Sequence, residues 1–108
     1  MTTITVCKKN GFYLSFESKG HASFAGFGKD IVCAAISILV INTANALEQF
    51  TEDALVIEED EKNGRIYWEF TDVVSDKSIL LMDTLLLGLK TIHESYEKKH
   101  TQIIFKEV

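Results

Sequence analysis

Two Asn-Gly dipeptides, Asn10-Gly11 and Asn63-Gly64, each sit between short runs in which apolar and polar residues alternate. Both residue types tolerate positive φ, so such a pair between alternating runs is a strong signal for a tight β-hairpin turn. Before the first turn, Thr2 to Cys7 puts Ile4 and Val6 on one face. After it, Phe12 to Ser18 does the same with Phe12, Leu14 and Phe16. Around the second turn, Leu55 to Glu59 is followed by Arg65 to Phe70, with Ile66, Trp68 and Phe70 on one face. Two hairpins with apolar faces require other elements to cover them.

Two segments are suited to that task. The chain from Ile31 to about Phe50 is rich in β-branched residues, but its length and its Ala-Asn-Ala-Leu-Glu-Gln ending favour a helix. Asp30 is placed as its N-cap, where a carboxylate accepts a bond from an otherwise unpaired backbone N–H. A second helix is expected from about Asp76 to Glu97, with Ile79, Met82, Leu86, Leu89 and Ile92 on one face and Gly88 permitting a close approach. A last short strand falls near Gln102 to Lys106. The expected order is ββαββαβ, a single α+β domain over residues 1–108, with a largely antiparallel sheet packed on two helices. The first helix is apolar nearly all round, so a second layer or a homodimer partner is expected to cover it. Trp68, the strand phenylalanines and Met82 read as core, and His93 and His100 as surface residues of the second helix and its end.

Composition narrows the function classes. Net charge is −5, which argues against direct nucleic-acid binding, since that needs a basic face. The acidic run Glu58, Glu59, Asp60 and Glu61 reads as a solvated hairpin tip, and it also suits a basic partner through long-range attraction. No basic segment followed by an apolar one opens the chain, and the apolar run Ile31 to Ile41 is too short to span a bilayer. The expectation is a cytoplasmic protein with no membrane partner, and in that reducing compartment Cys7 and Cys33 are expected as free thiols. Cys7 alternates away from Ile4 and Val6 and is assigned no role.

The stretch Gly20-His21-Ala22-Ser23-Phe24-Ala25-Gly26-Phe27-Gly28-Lys29-Asp30-Ile31-Val32-Cys33 carries the chemistry. With Asp30 as N-cap, Cys33 is the third helical residue, in the first turn, where the helix dipole and free N–H groups favour a thiolate. His21 closes the second strand. The glycine-bearing loop can fold back and bring imidazole and sulfur together, and such a pair activates the nucleophile without a metal. On the residues alone a second reading stands beside this one, because a lone cysteine in an apolar helix is commonly a small buried hydrophobe. A zinc site fares worse: Cys33, His21 and Cys7 give at most three ligands without a usual spacing. A phosphate loop fails too, because Asp30 follows Gly28-Lys29 where Ser or Thr is needed, and Ser23 stands in place of the first glycine.

Gly20-His21-Ala22, the glycine-bearing loop, Gly28-Lys29-Asp30-Ile31-Val32-Cys33-Ala34-Ala35 and Ser37 resemble the signature of the Prp family of ribosomal-processing cysteine proteases, the YsxB-like family. Chain length, element order and Asn45-Ala46 in the first helix fit as well. The resemblance implies a cytoplasmic, homodimeric endopeptidase with no cofactor and no metal. Its implied substrate is the short N-terminal extension of large-subunit ribosomal protein number twenty-seven, whose removal serves ribosome assembly. His21 and Cys33 match the family's catalytic pair, with Cys33 as nucleophile and His21 as proton acceptor. The implied cleavage site follows an aromatic-rich stretch ending in Phe-Phe-Ala, so an apolar groove beside Cys33 is expected. Backbone N–H groups at the start of the first helix are the expected oxyanion donors. Asp30 is a candidate to orient His21, though the cap role is favoured. Ser37, four residues after Cys33, shares its helical face and either lines the site or bonds a backbone carbonyl. Gly20, Ala22, Ser23, Gly26 and Gly28 suggest a loop that is mobile when empty and closes over substrate. Two rival readings remain: a non-enzymatic module that binds a ribosomal protein, and a thiol redox sensor using Cys33, the latter weakened by the missing Cys-x-x-Cys partner.

Overall fold

A computed structural model describes residues 1–20, 27–96 and 101–108, with residues 27–30 described by their backbone alone. The elements are β1 (Thr2–Lys9), β2 (Phe12–Lys19), α1 (Phe27–Phe50), β3 (Leu55–Asp60), β4 (Arg65–Phe70), α2 (Asp76–Ser95) and β5 (Thr101–Glu107). They form one five-stranded sheet in the order β3-β4-β2-β1-β5. Every neighbouring pair is antiparallel except β1 with β5, which run parallel because α2 carries the chain across between β4 and β5.

Local chemistry explains the hairpins. Asn10 and Gly11 both have positive φ, 54° and 81°, as a two-residue turn between twisted strands requires. The second turn is wider. It spans Glu61 to Gly64, with only Gly64 at positive φ, and Asp60 closes it by accepting hydrogen bonds from the Asn63 backbone and side chain.

One expected face is corrected. Cys7 pairs with Ser15 but Lys8 pairs with Tyr13, so Leu14 is an extra residue and the alternation of β2 flips across it. Phe16 therefore faces the core, Phe12 is exposed, and Tyr13 turns inward in its place. The Tyr13 hydroxyl donates to Asp83 on α2, and burial together with that carboxylate pushes the phenol above its usual range.

Both helices lie on the face that carries Ile4, Val6, Phe16, Trp68 and Phe70. Val32, Ile36, Val40 and Leu47 of α1 join Met82, Leu85, Leu86 and Leu89 of α2 in one core with these strand residues. Phe16 and Trp68 stack across adjacent strands with ring centroids 4.5 Å apart. The helices run antiparallel, since Asp53 after α1 bonds Ser75 at the start of α2. They meet at Gly88, where a Cβ would lie 2.8 Å from a methyl of Leu39, so the expected close approach is present.

Helix α1 begins at Phe27, not after Asp30. Asp30 is thus inside the helix and is not its N-cap; Gly28 in its first turn did not delay it. The segment Ile31–Phe50 is, by its length and its mean hydropathy of 1.8, apolar enough to cross a membrane, which its first eleven residues alone are not. One side of it, however, is built into the core. The other side presents Ile31, Ile38 and Ile41 to solvent, and α2 likewise exposes Leu80 and Leu87. This two-layer chain therefore leaves uncovered the helical surface for which a further layer or partner was expected.

Candidate active site

Cys33 lies on α1 next to Val32, which is buried in the core, and is itself half-buried. Its sulfur borders a cavity of about 300 Å³ between the start of α1, the ends of β1 and β2, and the β3–β4 turn. Ile36, Val40, Ile41 and Ile66 supply apolar walls, the groove expected beside this residue. Ser37 lines the same cavity one turn beyond Cys33, and Thr2 approaches from β1 with its hydroxyl 3.4 Å from the Cys33 sulfur.

Glu59, Asp60 and Glu61 form the opposite rim together with Arg65. Arg65 is already engaged: its guanidinium binds Glu17 at 2.7 Å and Glu58 at 3.5 Å, and it lies over the Tyr67 ring. Hydrogen bonds from Asn63 hold the Asp60 carboxyl below its ordinary range. The rim is therefore anionic at neutral pH, and the hairpin tip read as merely solvated is one wall of the cavity.

Gly20 shapes the floor. Its φ is 144°, its N–H bonds the carbonyl oxygen of Gly64 at 3.1 Å, and a Cβ there would lie 2.4 Å from the Met1 carbonyl oxygen. It is held by close backbone packing, which differs from the expected role in a mobile loop. Gly28 likewise lies in α1. Ala22, Ser23 and Gly26 of that loop lie outside the described residues, as do His21 and His100. The Asp30 side chain is also outside the description, so its orienting role on His21 has no geometry here.

The earlier start of α1 changes the expected chemistry at Cys33. The sulfur sits in the second turn, beyond the reach of most of the helix dipole. The Cys33 backbone N–H falls where an α-helix bonds it to the residue four positions back, so it is not one of the free N–H groups at the helix start that were expected as oxyanion donors. Cys7 and Cys33 are both free thiols. Among the described residues no group of three His, Cys, Asp or Glu could hold a metal ion.

The sequence reading missed His93, Thr101 and Thr2. His93 is half-buried rather than on the surface, and its Nδ1 is hydrogen-bonded to the Thr101 hydroxyl. The signal was present in the strand pattern: Thr2 and Thr101 stand where the buried alternation calls for apolar side chains.

The model of the cysteine protease Prp family matches residues 1–101. The chain is 33% identical to the ribosomal processing cysteine protease Prp of Bacillus subtilis over 88 residues, 78% of this chain and 79% of that protein. It is likewise 33% identical to the Staphylococcus aureus Prp over 79 residues, 73% of this chain and 74% of that one. A crystal structure of the essential Prp from S. aureus with a covalently linked product peptide superposes with a TM-score of 0.87. The match covers 98% of this chain and 100% of that one, at 28% identity. The same protease with a substrate peptide gives a TM-score of 0.85 at 26% identity, covering all of both chains. With the fold shared throughout, the family model matching residues 1–101 and a free cysteine opening onto a groove, this chain belongs to the Prp family of cysteine proteases.

Proposed function

We propose that the chain is an endopeptidase that removes the short N-terminal extension of large-subunit ribosomal protein number twenty-seven, with Cys33 as nucleophile and His21 as its proton partner. The observation that carries this reading is the cavity at the Cys33 sulfur, which is apolar along Ile36, Val40 and Ile66 and anionic at Glu59, Asp60 and Glu61. An aromatic-rich segment ending in Phe-Phe-Ala suits the apolar walls, and a basic continuation of the ribosomal chain suits the acidic rim. The ribosomal-processing role of the relatives and the peptide complexes of the S. aureus protease support the same reading.

In this mechanism the Cys33 thiolate attacks the scissile carbonyl carbon and forms a tetrahedral oxyanion. The C–N bond then breaks, His21 imidazolium gives its proton to the leaving amine, and a thioester remains on sulfur. Water, deprotonated by the same imidazole, hydrolyses the thioester, releasing a carboxylate and restoring the thiol. The enzyme acts in the cytoplasm as a homodimer, whose contact is supplied by the exposed apolar stripe of α1 and α2. The test is incubation with a peptide spanning the ribosomal extension and mature start, followed by mass spectrometry. One cut after the aromatic stretch is expected; no cut, or several scattered ones, overturns the substrate assignment.

A further inference from the structure

Thr2 breaks the pattern of its own strand. Its side chain points to the same face as Ile4 and Val6, which are 1% and 0% exposed, and it is itself only 4% exposed. Valine has nearly the same shape and would fill this position without taking a hydroxyl out of water, which costs free energy unless the group is hydrogen-bonded. On the neighbouring strand the directly paired residue, Thr101, is also buried, at 6% exposure. Its hydroxyl is accounted for by His93 Nδ1. Thr2 is not so placed: among the described residues its hydroxyl has one hydrogen-bonding partner, the Cys33 sulfur at 3.4 Å.

We infer that Thr2 is a positioning residue for the nucleophile, donating its O–H to the Cys33 thiolate and fixing the direction of the sulfur at the edge of the cavity. This rests on Cys33 being the nucleophile of the proposed function. Either atom can donate while the sulfur is a thiol, but an ionised sulfur has no proton, so only the hydroxyl can then donate. A bond to a charged acceptor is stronger than one between neutral groups, so the interaction favours the thiolate over the thiol. It weakens when the sulfur becomes acylated and loses its charge. Since Cys33 lies past the first turn of α1, this hydroxyl does part of what the helix N-terminus was expected to do.

The test uses the full chain with Cys7→Ala, so that alkylation by iodoacetamide reports on Cys33 alone. Thr2→Val keeps the shape and suits a strand. The other charged groups at the described cavity, Glu59, Asp60, Glu61 and Arg65, are the same in every variant. In Thr2→Val the midpoint of the pH–alkylation profile should rise by about half to one pH unit, and kcat should fall roughly five- to tenfold with KM little changed. Thr2→Ser should restore both. An unchanged midpoint and kcat in Thr2→Val overturn the inference, as does a serine variant no better than valine. Alkylation needs no substrate, so a shifted midpoint in a protein that cuts no ribosomal peptide still supports the role of Thr2 while the substrate assignment fails.

Discussion

At the scale of single residues, position and chemistry separate. The sequence made Cys33 a candidate because an acidic residue and a glycine-bearing loop precede it, and it does border a groove. It also implied a first-turn thiol, and that part fails because α1 starts at Phe27. Gly28 read as loop, yet a glycine is tolerated in the first turn of a helix, so sequence could not place the boundary. Gly20 could be picked out by type but not by reason, since its close approach to Met1 and Thr2 is a long-range contact. Gly20→Ala should cost about 2–3 kcal/mol, through both the positive φ and the clash, and lower the melting temperature by roughly 10 °C. A melting curve within 2 °C of wild type would contradict the packing described. The proposed pairing of His21 with Cys33 predicts that His21→Ala lowers cleavage by at least about 100-fold, measured as kcat on the ribosomal peptide.

At the scale of elements, the alternating runs and turn residues located the four hairpin strands, and helical spacing located α2, because these are local properties of the chain. The bulge at Leu14 was not legible, since it is defined only by the pairing of β2 with β1. The cap of α2 was equally hidden. Ser75 caps the helix through its side chain, which accepts from the Ser78 N–H, and Asp53 accepts from the Ser75 N–H and hydroxyl at 2.9 and 2.8 Å. Partial burial pushes the Asp53 carboxyl up, but the bonds from the Ser75 N–H and hydroxyl leave the group below its ordinary value of 3.8. A depressed value in the folded state means stability that is complete above the unfolded value and is lost as pH falls through the folded one. Asp53→Asn should therefore be less stable than wild type by about 1 kcal/mol at neutral pH. The gap should close as pH drops below the ordinary value of 3.8. Urea titrations between about pH 7 and pH 3 check this, and a constant gap would contradict it.

At the scale of the whole molecule, the order ββαββαβ and the apolar excess of α1 were both legible, because the number of apolar residues exceeds what one small sheet can cover. Ile38 and Leu87 are 69% and 68% exposed on the outer side of the helix pair. Light scattering should give twice the 12.2 kDa chain mass, and Ile38→Glu with Leu87→Glu should halve it without unfolding the chain. A wild-type monomer at micromolar concentration would refute the dimer. What the sequence could not show is how the β3–β4 turn, far from Cys33 in the chain, comes to wall the groove at its sulfur. The most direct measurement of whether that groove is a protease site is the cleavage rate of the ribosomal peptide by Cys33→Ala beside Cys7→Ala, both checked for wild-type circular dichroism. Cys7→Ala should cut at the wild-type rate and Cys33→Ala should release no product. Cleavage by Cys33→Ala at a rate comparable to wild type would contradict the assignment of the nucleophile.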